Sequence, residues 1–241
     1  MTELLFQTDS YIQSFEATIT SVDEENHAVF LNRTSFYPGG GGQPADSGTL
    51  DIPGGPKLRV KRARKAGDQV LHILDTEDPL PSPITPVHGQ IDWERRYRLM
   101  RTHTAMHVLC GVIFRDYGAS VTGGDMDPLQ GRMDFEFETM RRELVDQIEA
   151  AINQEVVNAR PVKVAILPRE EAFQIPDLIR TKINLLPEGI QQVRVVEIVG
   201  LDLQADGGTH VHNTSEVGHI RVVDYKSKGK INKRIYVELT E

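Results

Sequence analysis

Cysteine is nearly absent from this sequence. Cys110 is the single one in 241 residues, so no internal disulfide framework can form and stability must come from packed cores. The start, MTELLFQTDSYIQSFE, lacks a basic flank followed by an apolar stretch, and no secretory leader is expected. No run of about 18 apolar residues occurs anywhere, which predicts no membrane-spanning helix and, with the lone thiol, a cytoplasmic protein. Internal repeats and low-complexity segments are missing too. Positive charge is in the minority, 27 Lys and Arg against 35 Asp and Glu, for a formal net charge of −8. Taken alone, that argues against a general nucleic-acid binder, because phosphate backbones reward a positive surface.

Local patterning says something different. The stretches KLRVKRARK (57–65), RRYRLMR (95–101) and KSKGKINKR (226–234) are strongly basic. One such run is ordinarily a solvated face; three on an acidic chain raise the expectation of contact with phosphate.

Hydrophobic residues make up 39% of the chain, enough for one large core or two modest ones. From about residue 14 to 92, FEATITSV, HAVFLNR, LRVKRAR and VLHIL are short, rich in β-branched residues and separated by Gly, Pro, Asp and Asn, which predicts a small antiparallel β-barrel or curled sheet. DTEDPLPSPITPVHG (75–89) carries Pro79, Pro81, Pro83 and Pro86 and reads as a linker or extended rim. A long helix is expected from Asp92 or Trp93 to Gly118, with Leu99, His103, Met106, Cys110, Ile113 and Tyr117 on its buried stripe. A hairpin over ASVTGG to GRMDFEFE follows, then a helix from about Met140 to Asn158 striped by Leu144, Ile148, Ile152 and Val156. Strands are expected at PVKVAIL and QQVRVVEIV, a short broken helix at EEAFQIPDLIR, and a terminal hairpin turning at Ser227 to Lys230. Helices and strands mix without strict βαβ alternation. The predicted fold class is therefore α+β: a β-barrel domain over 1–90, and a 91–241 domain with a mainly antiparallel sheet and a long metal-binding helix.

Chemistry concentrates in two places. In RTHTAMHVLCG, His103 and His107 are four residues apart, so both imidazoles leave one helix face about 6 Å from each other, a separation suited to a shared metal ion. Thr104 stands where the HExxH metalloproteases carry their general-base Glu, so that mechanism is excluded. Two histidines do not close a zinc site. The best source of further ligands is QADGGTHVHN (204–213), in which Asp206 and His210 flank Gly207, Gly208 and Thr209; the glycines let the backbone fold tightly enough for two ligands to reach inward from one loop. A bare Asp-Gly-Gly turn is the alternative, but with HTAMH the ligand count and types fit one ion.

The set TSFYPGGGGQPADSG (34–48), RTHTAMH (101–107), GRMDFEF (131–137) and DGGTHVHNTSEVG (206–218) resembles the alanyl-tRNA editing family, AlaX, in its medium-length form, which is similar to the editing domain of alanyl-tRNA synthetase. The family usually has HxxxH followed by CxxxH, all four binding zinc. His103, His107 and His210 carry over directly; Asp206 stands in the place of the cysteine. A carboxylate keeps the negative charge and binds zinc at about 2.0 to 2.2 Å, but it is a harder, less electron-donating ligand than a thiolate. Direct ligation, ligation through water, or intrusion of Gln204 are the open outcomes, and direct ligation is the expectation.

The resemblance implies one Zn2+ per chain and hydrolysis of the ester joining serine, and possibly glycine, to the acceptor end of tRNA(Ala), with monomer and homodimer both open. It also implies that Thr34 recognises serine, that Gly40, Gly41 and Gly42 wall the aminoacyl end with Gln43 offering an amide, and that Asp134 and Thr209 contact substrate. The glycine run is not a phosphate-binding P-loop, since Gln43 and Pro44 stand where Lys and Ser or Thr would be needed. Arg132 and Asp134 share a strand face if the register is regular. For Arg132 two readings stay open: a contact to the terminal ribose or phosphate, or a structural ion pair. Two other functions remain as alternatives: a tRNA-binding module without chemistry, and a metallohydrolase of another small ester.

Overall fold

The structure is a computed structural model that describes residues 2–181 and 189–240. The chain divides into two compact units, Met1–Tyr97 and Arg98–Glu241, and the class is α+β as expected. No described helix is long and apolar enough to cross a membrane.

The first unit contains β1 (Glu3–Leu4), β2 (Ser14–Asp23), β3 (Ala28–Leu31), β4 (Arg33–Thr34), β5 (Gly48–Asp51), β6 (Lys57–Ala66), β7 (Gln69–Leu74) and β8 (Pro86–Ile91). Strands β2-β3-β7-β6-β5-β8 close into an antiparallel barrel, while β1 and β4 form a short parallel pair. Alternation fills the interior: Phe15, Ala17 and Ile19 of β2, Val29 and Leu31 of β3, Leu58, Val60 and Ala63 of β6, and Val87 and Ile91 of β8 are buried together. The proline-rich segment is more than a rim. Its last proline, Pro86, opens β8, the strand that pairs with both β2 and β5 and closes the barrel. Proline is tolerated there because the first residue of a strand can forgo its ladder N–H.

The second unit carries most of α1 (Trp93–Tyr117), then β9 (Val121–Asp127), β10 (Gln130–Glu136), α2 (Arg142–Val157), β11 (Val162–Pro168), the one-turn α3 (Arg169–Ala172), β12 (Gln192–Ile198), β13 (Asp202–Ala205), β14 (Ile220–Ser227) and β15 (Asn232–Leu239). The strands build a four-stranded sheet, β14-β15-β10-β9, and a three-stranded sheet, β11-β12-β13; both are antiparallel throughout.

Helix α1 is capped at its start by Asp92, whose carboxylate accepts the Arg95 N–H at 3.2 Å, and ends at Gly118, which has φ +65°. The single stripe expected along it is too modest. From Thr102 to Ile113 every residue is buried, the pattern of a central rather than a surface helix, whereas Tyr117 is exposed. Strand β10 lies close against it: a Cβ added to Gly131 would meet Met106 Sδ at 2.6 Å. The stripe of α2 is also turned from the expected one and runs Val145, Ile148, Ile152 and Glu155. A carboxylate can occupy that last position because Arg115, Arg160 and Asn158 all donate to it.

A candidate metal centre

The site begins with two local folds. In α1, His103 and His107 are one turn apart, with ring centroids separated by 5.2 Å. After β13 the chain turns sharply: Asp206 Oδ1 accepts the Gly208 N–H at 2.8 Å, an Asx-turn for which Asp followed by glycines is well suited. That turn brings His210 Nε2 to 2.9 Å from Asp206 Oδ1. The rest of the stretch is a second local motif, in which Asn213 and Glu216 form a capping box on the 3-10 turn Thr214–Val217.

Tertiary packing joins the two. His210 stacks on His103 with centroids 4.2 Å apart and meets His107 edge-on at 4.7 Å. Asp206 Oδ2 lies 3.6 Å from His103 Nε2. One ligand atom each from His103, His107, Asp206 and His210 lies within 4.8 Å of the others, and three of the four residues are buried. The donor set suits a borderline-soft divalent ion: three imidazoles and one carboxylate, able to close a four-coordinate site.

Protonation points the same way. Burial dominates at His103 and holds it down to about 4, against the pull of Asp206, with the charges of His107 and Arg194 adding to the lowering. Burial and the charges of His103 and His107 also push His210 well below the ordinary histidine range. Asp206 is buried, which by itself would raise its carboxyl, but His103, His210 and His107 hold it well below the usual carboxylate value. His103 and His210 therefore stand as neutral imidazoles beside a carboxylate, the forms in which these groups ligate metals.

A second layer aims the ligands. His107 Nδ1 faces Asp202 Oδ2 at 2.9 Å, so Nδ1 carries the proton and Nε2 is left for the cluster. Thr104, at the position of the absent Glu, is fully buried; its hydroxyl oxygen lies 3.3 Å from His210 Nδ1 and accepts the Val211 N–H at 3.2 Å. Gln204 donates to Asp202 Oδ2 at 2.6 Å and to Cys110 Sγ at 3.4 Å, on the Nδ1 side of His107. Arg194 donates to the Asp206 carbonyl at 2.9 Å. Burial pushes the Cys110 thiol far above its ordinary range, so it serves as core.

Arg132 Nη2 pairs with Asp125 at 3.3 Å. Asp134 takes two bonds from Arg234, at 2.6 and 2.7 Å. Thr209 is fully buried within the Asp206 turn. In the barrel unit, Gly40 and Gln43 exchange backbone hydrogen bonds at 3.1 and 2.9 Å around Gly41 and Gly42, whose φ angles are +56° and +85°. This is a tight two-residue hairpin turn of the kind that requires φ > 0 at both central positions. The backbone N–H groups of Gly40 and Gln43 are thus engaged within the turn. Thr34 is fully buried; its Oγ1 lies 2.8 Å from His72 Nε2 and accepts the Phe36 N–H at 3.1 Å.

Comparison with known proteins fits this geometry. Residues 193–236 match the threonyl and alanyl tRNA synthetase second additional domain, and residues 6–95 match the class II (A) tRNA synthetases. The alanyl-tRNA editing protein AlaX-M of Saccharolobus solfataricus is 39% identical over 239 residues, 98% of each chain. That of Methanosarcina barkeri is 37% identical over the whole of both chains. The chain belongs to the AlaX-M family of alanyl-tRNA editing proteins. An alanine–tRNA ligase of Ignicoccus hospitalis is also 37% identical, over 92% of this chain but only 24% of its own length.

For this AlaX-M member, the sequence motifs miss the residues behind the ligands. Asp202 was signalled only as a second acid in LDLQAD, Thr104 only as the place where Glu is absent, and His72 as a lone histidine in the apolar strand VLHIL.

Proposed function

We propose that this protein is a zinc-dependent hydrolase that removes serine, and secondarily glycine, from mischarged tRNA(Ala). The observation that carries this reading is the buried cluster of His103, His107, Asp206 and His210 in a chain aligned end to end with alanyl-tRNA editing proteins. The same four residues would hold the ion. A bound Zn2+ supplies a Lewis acid that polarises a carbonyl, acidifies water or orients the substrate.

The chain's own residues supply the rest. Asp202 holds the His107 proton on Nδ1, keeping its Nε2 available, and the Thr104 hydroxyl orients His210 through its Nδ1. Gln204 is engaged with Asp202 and Cys110, which favours Asp206 as the fourth ligand. Specificity is read at Thr34. His72 is neutral, because burial brings it down to about 4, and its Nδ1 faces the Val29 carbonyl at 3.3 Å. Nδ1 therefore carries the hydrogen, Nε2 accepts the Thr34 hydroxyl proton, and the Thr34 oxygen keeps one lone pair for an incoming donor. A serine hydroxyl can use that lone pair and alanine cannot, which is how a polar site rejects an analogue lacking the group. Gln43, with the turn Gly40, Gly41 and Gly42, is read as a wall at the aminoacyl end. Arg132 is read as a contact for the terminal ribose or phosphate, and Asp134 and Thr209 as supporting contacts.

The test is deacylation of Ser-, Gly- and Ala-charged tRNA(Ala), with and without chelator. Fast, chelator-sensitive release of serine and slow release of alanine are expected. Equal rates on all three would remove the editing reading.

A further inference from the structure

The three basic runs have different fates in the structure. In RRYRLMR, Arg96 is fully buried, bonded to the Asp46 carboxylate and to the Ser10 and Ser35 carbonyls, and Arg101 bonds the carbonyls of Val217 and Thr240. In KSKGKINKR, Lys233 is buried on the Gly229 and Lys230 carbonyls, Arg234 is held by Asp134, and Lys226 pairs with Asp224. These five cations are engaged by the fold, while Lys228 and Lys230 are exposed at the hairpin turn rather than along a strand. The third run is different: Lys57, Arg59, Lys61, Arg62, Arg64 and Lys65 are all exposed, on the one strand β6.

Strict alternation does not permit that arrangement. With Leu58 and Val60 inside the barrel, a regular strand would turn Arg62 and Arg64 inward as well. A β-bulge prevents it: Val60 faces Leu74 and Arg62 faces the very next residue, Ile73, so Lys61 is an extra residue. The phase resets, Ala63 becomes the next interior side chain at 0% exposure, and Arg62 and Arg64 stay outside. Lys57 and Arg59 have acidic neighbours, Asp51 at 3.2 Å and Asp75 at 3.9 Å, and Arg64 donates to Asn26. For the side chains of Lys61, Arg62 and Lys65 the described residues offer no such partner.

We infer that the exposed cations of β6, Lys61 and Arg62 at the bulge and Lys65 near the strand's end, are a contact for the phosphate backbone of RNA. On a chain of net charge −8, cations without counter-ions on one strand are a local attractor for a polyanion, and guanidinium and ammonium groups are phosphate ligands. The strand has no aromatic residue, so nothing on it stacks on a base, and the contact reads backbone rather than sequence. The inference rests on the reading that the substrate is a tRNA.

The test compares the full-length protein with the triple variant Lys61→Ala/Arg62→Ala/Lys65→Ala. Its probes are binding of uncharged tRNA(Ala) and, separately, of polyglutamate from about 50 to 200 mM salt, and deacylation of Ser-tRNA(Ala). Because the substituted side chains are exposed, the melting temperature is expected to stay within a few degrees. Loss of three phosphate contacts should lower the log–log salt slope of binding by roughly 2 to 3 and weaken binding about tenfold or more at the low-salt end. KM should rise with kcat nearly unchanged, and the charge-preserving variant Lys61→Arg/Arg62→Lys/Lys65→Arg should keep the slope. An unchanged slope and affinity in the triple alanine variant would overturn the inference and leave β6 a solvated face. So would loss of binding to polyglutamate with tRNA binding intact, which would assign the face to an acidic protein. If the unaltered protein deacylates nothing but the slope still falls, the editing reading fails and the RNA contact stands.

Discussion

Asp202 offers a sharp test of how the candidate metal centre is tuned. Its side chain is buried, and its Oδ2 receives His107 Nδ1 at 2.9 Å and the Gln204 amide at 2.6 Å. Burial of His107 would lower its pKa, but the bond to Asp202 and the charges of Asp202 and Asp206 raise it above the ordinary histidine value. Asp202 thus makes the ring electron-rich toward the cluster. Asp202→Asn keeps the shape, and its amide oxygen still accepts from both donors; what is lost is the charge, which also faces Arg180 at 3.6 Å from Oδ1. Removing an outer-layer partner of a metal-binding histidine costs about 10- to 100-fold in metal affinity, or roughly 1.4 to 2.7 kcal/mol, and the retained hydrogen bonds place this variant near the lower end. Asp202→Ala, which also leaves the His107 N–H and the Gln204 amide unsatisfied, should reach the upper end and cost about 1–3 kcal/mol of stability as well. Competition against a chromophoric zinc chelator at neutral pH reads the affinity, and thermal melting checks the fold. A zinc affinity for Asp202→Asn within twofold of the unaltered protein would refute the argument that the carboxylate tunes His107.

Other outcomes follow from the same structure. Asp206→Ala should lose zinc and deacylation together, and Asp206→Cys, which restores the thiolate usual in the family, should hold zinc more tightly; metal analysis and activity decide both. Thr34→Val should lower the ratio of Ser- to Ala-tRNA(Ala) hydrolysis, whereas Thr34→Ser, which keeps the hydroxyl on His72, should preserve it. Asp46→Ala strands the fully buried Arg96 guanidinium and should cost about 3–5 kcal/mol in a denaturant titration; a loss under about 1 kcal/mol would mean that water reaches the arginine. Burial alone would raise the Glu155 carboxyl, but hydrogen bonds from Arg160, Asn158 and Arg115 bring it down to about 2. A lowered folded-state pKa contributes stability above about 4.5 and loses it as pH falls toward 2. Glu155→Gln should therefore be destabilised at neutral pH and show a flatter acid decline across that window; parallel curves would refute the assignment.

The sequence was most legible where chemistry and local geometry coincide. His103 and His107 could be read as a pair because a helix turn fixes their separation, and Asp206 with His210 because the glycines force a tight turn. Their convergence on one point is tertiary and was reachable only by counting ligands. Asp202 and Thr104 were missed because an outer-layer role depends on which side chain lies behind which ring, and no spacing in the chain encodes that. The barrel strands were readable by alternation in FEATITSV and VLHIL, but β8 hid in a proline-rich stretch, where its role depends on two neighbours rather than on its own residues. KLRVKRARK was read as a strand and as a basic run, and only the bulge at Lys61 explains how it is both.

The contacts that complete the candidate metal centre span most of the second unit's length: Thr104 reaches His210 across 106 residues, and His107 reaches Asp202 across 95. A loop that long must close before either contact contributes anything. On the time axis of folding, the centre is therefore assembled late, and an unfolded chain offers only two separate half-sites. Ion binding then becomes a clock for the completed fold: metal capture should trail the formation of α1, and a chelator should speed unfolding of the second unit while leaving the barrel's own rate unchanged.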